Sequence, residues 1–520
     1  MTAVRTVHLP ARPAKLAALL LVAALTLGLA GTSAYAAAAL GGGGSQPEDV
    51  LPRDALGFVK IDLDPSAGQK LAAYQIARKF PSSGAKSPDS LRDDLLRSVF
   101  GVRERAEYEA YVKPWLGQRA GVAFLRPQKP KSDEPVLVAA VQVTDRAKAD
   151  AGLRALARRA KPGSDVTFHA FGADKSYVLL SDDKAAVNRA AAQRTSLADN
   201  PRFTKSVDEL GGDQIVLGWL DVTASWRAVP AKARTSLAGG LPLDLRGAVV
   251  FGAHVTDGTV EVLTKTVDFS AGDSPQAKRL FANPIGRGTS SGLIRGLPGD
   301  SVAAASATGL GAGLAALYQD TPAVRRDKDL RAFTKAAGLK LPADIKAVFG
   351  TELAVSASAP VKGGAPAVHA RVETGNAARA LAVITRIEAV AQKSQPSGSA
   401  VLTASGKAKE LSVLEHGRTA SGYVARYGPL DTRPPGRVGE LGDSEVFQRT
   451  LPDLDASGMT FYVDVARLVQ SWGALTGGPG NGSLSVQQRK AISPLLAAGS
   501  TTTVAEDGDT TNRLRLTVAR

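Results

Sequence analysis

The sequence predicts an α+β protein, an N-terminal transmembrane helix followed by a tandem duplication of a largely antiparallel sheet-plus-helix domain. Three observations carry that expectation. A pattern beginning at Leu197 returns 244 residues later. Within each copy the hydrophobic period switches between 2 and 3.6, as strands give way to helices. Asp257-Gly258 and Asp507-Gly508 sit between alternating runs and mark hairpin turns.

The chain opens with a short basic leader, residues 1–15. Arg5, Arg12 and Lys15 precede an uncharged run, and no acidic residue occurs before Glu48. A basic leader stays in the cytoplasm, so the expected topology is single-pass, N-terminus cytoplasmic and C-terminal domains extracytoplasmic. Residues 16–40 contain no charge over 25 positions, and as a helix they would rise roughly 37 Å against a hydrocarbon core of about 30 Å. The rival expectation is a secretory signal cut near Ala36, because Ala34-Tyr35-Ala36 has the small-x-small form. The apolar character continues through "AAAAL" to Leu40, which favours retention as an anchor. Residues 41–47, "GGGGSQP", read as a flexible spacer.

Residues 48–285 and 286–520 are the two expected copies. "LADNPRFTKSVDEL" from Leu197 lies over "LGDSEVFQRTLPDL" from Leu441, aligning Leu197 with Leu441, Asp199 with Asp443, Phe203 with Phe447 and Leu210 with Leu454. Leu51-Pro52 meets Leu297-Pro298, and "GWLDVTASW" meets "FYVDVARLVQSW". Within a copy, "ALGFVKIDL" and "EPVLVAAVQV" read as strands, the second apolar on both sides and therefore central. "RAKADAGLRALARRA" puts Ala149, Leu153, Leu156 and Ala160 on one helical face, and Ala377, Leu381, Ile384 and Ala391 repeat the arrangement. The helices are expected on one face of the sheet. Asp199 and Asp443 are expected helix N-caps, with Pro201 in the first turn, and Asp221 and Asp464 are expected caps of the helices carrying Trp226 and Trp472.

Composition excludes whole classes of chemistry. With no cysteine there is no disulfide, thiolate metal site or Cys nucleophile. The net charge is +15, scattered without a block of like charges, and aromatics are 5%. Nucleic acid is therefore not an expected partner. The expected partners are the membrane through residues 16–40 and an anionic envelope polymer, lipid headgroups or another envelope protein. A GC-rich composition with surplus arginine explains the same charge without any partner.

Literal motif matches are weak when their surroundings are read. "GTSSG", Gly288 to Gly292, has the nucleophile-elbow pattern around Ser290, but a loop precedes it where a buried strand is required. "GLGAGL", Gly309 to Leu314, follows a strand and opens a helix, yet its third glycine is misplaced and no acidic partner strand follows. "DLDASGMTFYVD" imitates a calcium loop with Asp453, Asp455, Ser457 and Asp464, although position 12 is Asp rather than Glu. "SGAK", Ser83 to Lys86, lacks the companion motif of penicillin-binding enzymes. His8, His169, His254, His369 and His416 show no metal spacing, and four of them fall in strand-like runs. No catalytic, cofactor-binding or metal-binding set is assigned.

The stretch from Gln46 to Pro81, with "DLDPSAGQK" at Asp62 to Lys70, "KFP" at Lys79 to Pro81, "PWLGQRAGVAF" at Pro114 to Phe124 and "SLADNPRF" at Ser196 to Phe203, resembles an uncharacterised family. That family is the actinobacterial membrane-anchored exported proteins known as domain of unknown function thirty-three fifty-two. The resemblance implies a single transmembrane segment ahead of the repeated domain and brings no activity, cofactor or functional residue. Members often carry a longer Pro-rich cytoplasmic tail, which the 15 residues before the apolar run do not supply. The expected function is a non-catalytic binding or scaffolding module of the cell envelope, with "DLDPSAGQK" and "PWLGQR" as first targets for mutation. The alternatives are an envelope hydrolase using Ser290 between the two copies, and a secreted soluble protein after signal cleavage.

Overall fold

The computed structural model describes residues 5–8, 45–62, 65–80, 93, 104–126, 135–159, 166–171, 176–211, 214–237, 243–256, 258–358, 366–394, 412–429, 439–475 and 485–519. The expected span at 16–40, Ser83–Lys86, Ala160 and Asp257 lie outside them. The chain divides into two compact units, Met1–Phe281 and Ala282–Ala519.

The first unit is built on strands β1 (Arg5–His8), β2 (Gly57–Asp62), β3 (Leu116–Leu125), β4 (Val136–Val143), β5 (Val166–Phe171), β6 (Tyr177–Ser181), β7 (Val216–Asp221), β8 (Arg246–Thr256) and β9 (Thr259–Ser270). All pairings are antiparallel, in the order β1-β5-β6-β4-β3-β2-β7-β8-β9. β4 explains the layering. Its Leu137, Ala139 and Val141 pack with Leu153 and Leu156 of helix Arg146–Arg159, whereas Val138 and Ala140 pack with Val187 and Ala190 of helix Lys184–Ala192. Helices therefore cover both faces, not one. A strand apolar on both sides requires this, since each buried Val or Leu contributes about 1.5–3 kcal/mol that one wet face would forfeit. β8 and β9 form the expected hairpin, with Thr256 opposite Thr259 and Gly258 at φ 73°, a left-handed turn position open to glycine.

The second unit carries β10 (Ser301–Thr308), β11 (Glu352–Ser358), β12 (Val368–Glu373), β13 (Ser412–Arg418), β14 (Gly422–Pro429), β15 (Met459–Asp464), β16 (Leu495–Val504) and β17 (Thr510–Val518). Their antiparallel order is β13-β14-β12-β11-β10-β15-β16-β17. Position for position this is the order β5-β6-β4-β3-β2-β7-β8-β9 of the first unit.

The local details repeat as well. Leu197 N–H donates to Leu51 C=O at 2.8 Å, and Leu441 N–H to Leu297 C=O at 2.7 Å. All four leucines are buried. Phe203 meets Trp219 edge-to-face at 5.4 Å, and Phe447 meets Tyr462 in the same way at 5.0 Å.

The repeated aspartates act one step earlier than the N-cap expectation. Asp199 and Asp443 end single 3₁₀ turns and accept from the Ser196 and Glu440 N–H groups at 2.7 and 2.9 Å. The following helices Pro201–Leu210 and Glu445–Thr450 are capped by Asn200 and Ser444. A helix starting at Pro201 leaves Asn200 as the half-in residue, which sequence spacing alone had misplaced by one. Asp221 and Asp464 are the caps expected of them, each accepting a backbone N–H at 2.7 Å, from Ala224 and Arg467.

Candidate functional site

Among the described residues, the central side chains of the motifs have local engagements. Ser290 Oγ donates to Glu352 Oε1 at 2.6 Å, and the Ser291 N–H donates to Glu352 Oε2 at 2.6 Å. Glu352 is buried at the start of β11, so the "GTSSG" loop supplies hydrogen bonds to a buried carboxyl; it is not a strand-to-helix elbow. In "GLGAGL" the Gly309 and Gly311 N–H groups donate to the Thr351 and Gly350 carbonyls at 2.7 and 3.1 Å. A Cβ at Gly309 would collide with the Pro284 carbonyl and one at Gly313 with Ile285. These glycines serve close packing, and two of the backbone donors a phosphate would need are occupied.

The imitation calcium loop is pulled apart by arginines. Asp453 pairs with Arg513 and with Arg515 at 3.3 Å, while Asp455 takes Arg295 in two hydrogen bonds, one of them at 2.8 Å. Ser457 is buried and bonded to Leu454 C=O and Thr460, and Asp464 caps its helix. The Arg295 hydrogen bond holds the Asp455 carboxyl below the usual carboxylate range. The histidines lie in strands, three beside carboxylates: His169 3.5 Å from Asp150, His254 3.5 Å from Glu261, His416 3.4 Å from Glu388. In the two segments chosen for mutation, Trp115 is buried with Nε1 donating to Tyr111 C=O at 2.5 Å, and Asp62 stands opposite Arg119 in the β2–β3 ladder. The β2–β3 ladder thus sets Asp62 of the first segment beside Arg119 of the second.

A chemical difference between the two sheets among the described residues was not legible as a motif. In the first unit Ala140 of β4, Leu179 of β6 and Ala170 of β5 are neighbours across the ladder, with almost no exposure beneath helix Lys184–Ala192. At the equivalent register of the second unit stand Arg371 of β12, Val424 of β14 and Gly417 of β13, and one step along the same face, level with Val138 of β4, are His369, Arg426 and Glu415. These three, with Pro298, Arg371 and Val424, line an open cleft of about 440 Å³. They stand opposite the face that packs on helix Ala377–Ser394, which takes Val372 and Tyr423. Arg426 Nη1 donates to Glu415 Oε2 at 3.2 Å, and Arg371 Nη1 donates to Gly296 C=O at 2.6 Å.

Charges at these positions cannot be buried under an apolar helix without a large desolvation cost, so this face cannot close as its counterpart does. The connection after Pro429, residues 430–438, lies outside the described residues. Guanidinium groups at a cleft suit a carboxylate or phosphate, and Glu415, half-exposed, can accept from hydroxyl or ammonium groups. The lining holds no Ser, Thr, Cys or Lys, and the polar side chains it presents are guanidinium, imidazole and carboxylate. Comparing the same sheet face in the two units, rather than motifs, is the signal that finds it.

The molecule so defined is a two-unit α+β protein with one sheet closed by helices and a second bearing a charged, open cleft. The chain belongs to the family described as protein of unknown function, DUF3352, whose model matches residues 19–517. No curated protein and no solved structure matches it.

Proposed function

We propose that this chain is a single-pass, membrane-anchored extracytoplasmic protein of the cell envelope that arose by tandem duplication and binds its ligand without converting it. Support for the anchor is the uncharged run 16–40 behind a basic leader, together with a family match that begins inside that run at residue 19. No helix among the described residues is long and apolar enough to cross a membrane, and 16–40 lie outside them. Support for duplication is the common strand order with its repeated Leu–Leu and aromatic contacts. The observation that carries the binding reading is that the sheet face which buries Val138, Ala140, Leu179 and Ala170 in the first unit carries His369, Arg371, Arg426 and Glu415 in the second, leaving a cleft sized for a small ligand or a polymer end. The ligand chemistry that fits is a polar molecule carrying carboxylate or phosphate.

One structural fact runs against the topology. β1 pairs with β5, Arg5 opposite His169, and a leader across the bilayer from its domain cannot keep that pairing. In the anchored protein β5 is therefore an open edge. The hydrolase alternative rests on Ser290, whose hydroxyl is committed to Glu352.

Photo-crosslinking from position 424 in intact cells tests the binding reading. The expected result is a captured envelope polymer or protein, lost in Arg371→Ala and Arg426→Ala. Absence of any crosslink refutes it, as does turnover of a wall, ester or peptide substrate that a point mutation abolishes. Alkaline extraction of membranes with N-terminal sequencing separates a retained anchor from a chain cut near Ala36.

A further inference from the structure

The helical arm from Thr321 to Leu339 in the second unit is amphipathic but buries almost nothing. Helices Pro322–Arg326 and Lys328–Ala336 contain no buried residue. Val324 and Phe333 are 38% and 40% exposed, and Leu317, near the end of the preceding helix Leu310–Asp320, is 49% exposed. Helices this short are not held by propensity alone and ordinarily owe their stability to a packed apolar face. Here that face is left partly open to solvent.

The charges around it are unbalanced. Arg325, Arg326, Lys328, Arg331 and Lys335 stand against Asp327 and Asp329, and the Asp327 carboxylate already accepts the Leu330 N–H at 2.8 Å as an N-cap. Arg325 donates to Gln319 C=O at 2.5 Å and Arg331 to Arg326 C=O at 2.8 Å. None of the five cations forms an ion pair among the described residues.

We propose that this arm docks on the surface of an anionic lipid bilayer. Val324 and Phe333 enter the boundary between headgroups and acyl chains, and the five cations meet lipid phosphates. Large apolar side chains beside lysine and arginine on a surface helix match a charged interface with an apolar interior; a soluble polyanion would need the charges alone. The inference rests on the membrane-anchored reading only in placing the chain beside a bilayer.

The absence of cysteine makes the test direct, because Ala332→Cys carries a single nitroxide label on an exposed arm position. The labelled full-length chain is reconstituted into phosphatidylcholine vesicles with and without phosphatidylglycerol. The label is expected to gain oxygen contact and lose contact with a water-soluble relaxant only when phosphatidylglycerol is present, and to revert in molar salt. Each cation contributes about fivefold to the docked-to-free ratio, so Arg325→Gln, Arg331→Gln and Lys335→Gln together lower it about a hundredfold. Phe333→Ser makes the docked label shallower.

Equal exposure in both vesicles overturns the proposal, and so does protection by soluble polyphosphate without phosphatidylglycerol. Unchanged circular dichroism of the triple variant excludes misfolding, as expected for exposed positions. Resistance to alkaline extraction reports the anchor separately. A resistant chain with an unprotected label refutes the arm alone. An extractable chain refutes the anchor, while flotation with phosphatidylglycerol vesicles still decides the arm.

Discussion

Two buried tyrosines of the second unit should respond oppositely to loss of the same hydroxyl. Tyr462 on β15 has no exposure and packs edge-to-face on Phe447, but its Oη is buried without a hydrogen-bond partner. Burial pushes its phenol well above the ordinary range. Tyr423 on β14 is also buried, and burial pushes it up to about 12, but its Oη donates to Val348 C=O at 2.6 Å.

An unsatisfied buried polar group costs about 1–3 kcal/mol, whereas a satisfied one contributes about 1. Tyr462→Phe is therefore expected to stabilise by about 1 kcal/mol, raising the melting temperature of a unit this size by about 2–4 °C. Tyr423→Phe orphans the Val348 carbonyl and is expected to destabilise by about 1 kcal/mol or more. Urea unfolding of the full chain, followed by hydrogen exchange in peptides from β14 and β15, reads both within one unit. A Tyr462→Phe variant that loses a kcal/mol or more refutes the reasoning, since its hydroxyl must then have a partner. Shifts of the same sign in both variants refute it equally.

Three further outcomes follow from named contacts. Asn200→Ala leaves the Arg202 and Phe203 N–H groups uncapped and should cost the first unit about 1 kcal/mol in urea unfolding, with Asn200→Asp recovering the cap but not the donor to Arg53 C=O. The Ser196 N–H lowers the pKa of Asp199, and the Arg295 hydrogen bond lowers that of Asp455. Both carboxylates then contribute stability above the ordinary value of 3.8 and lose it as pH falls through their lower folded values, so Asp199→Asn and Asp455→Asn should flatten acid unfolding below that pH. Ser290→Ala removes a donor from the buried Glu352 carboxylate and should cost about 2 kcal/mol, read by thermal unfolding, and a serine-reactive phosphonate should leave Ser290 of the wild type unlabelled.

Local chemistry was legible wherever it depended on neighbours in sequence. The helices containing Leu153 and Ile384, the hairpin after Thr256 and the caps Asp221 and Asp464 follow from spacing, because they are set within one turn or one strand. Asp199 shows the limit even there. Its role turns on Pro201 fixing where the helix starts, which moved the cap to Asn200.

The sequence by itself determined the α+β class, the matching patterns 244 residues apart and the absence of thiol chemistry. Tertiary structure decided that helices cover both faces of the first sheet, because which strands flank β4 depends on long-range pairing that no period encodes. It also decided that His369, Arg426 and Glu415 meet. They come from three strands, β12, β14 and β13, with β14 seated between the other two, and only the register brings side chains 11 to 57 residues apart onto one face. Once there, their charge keeps that face from being closed by an apolar helix, and the same frame yields a core in one unit and an open, charged cleft in the other.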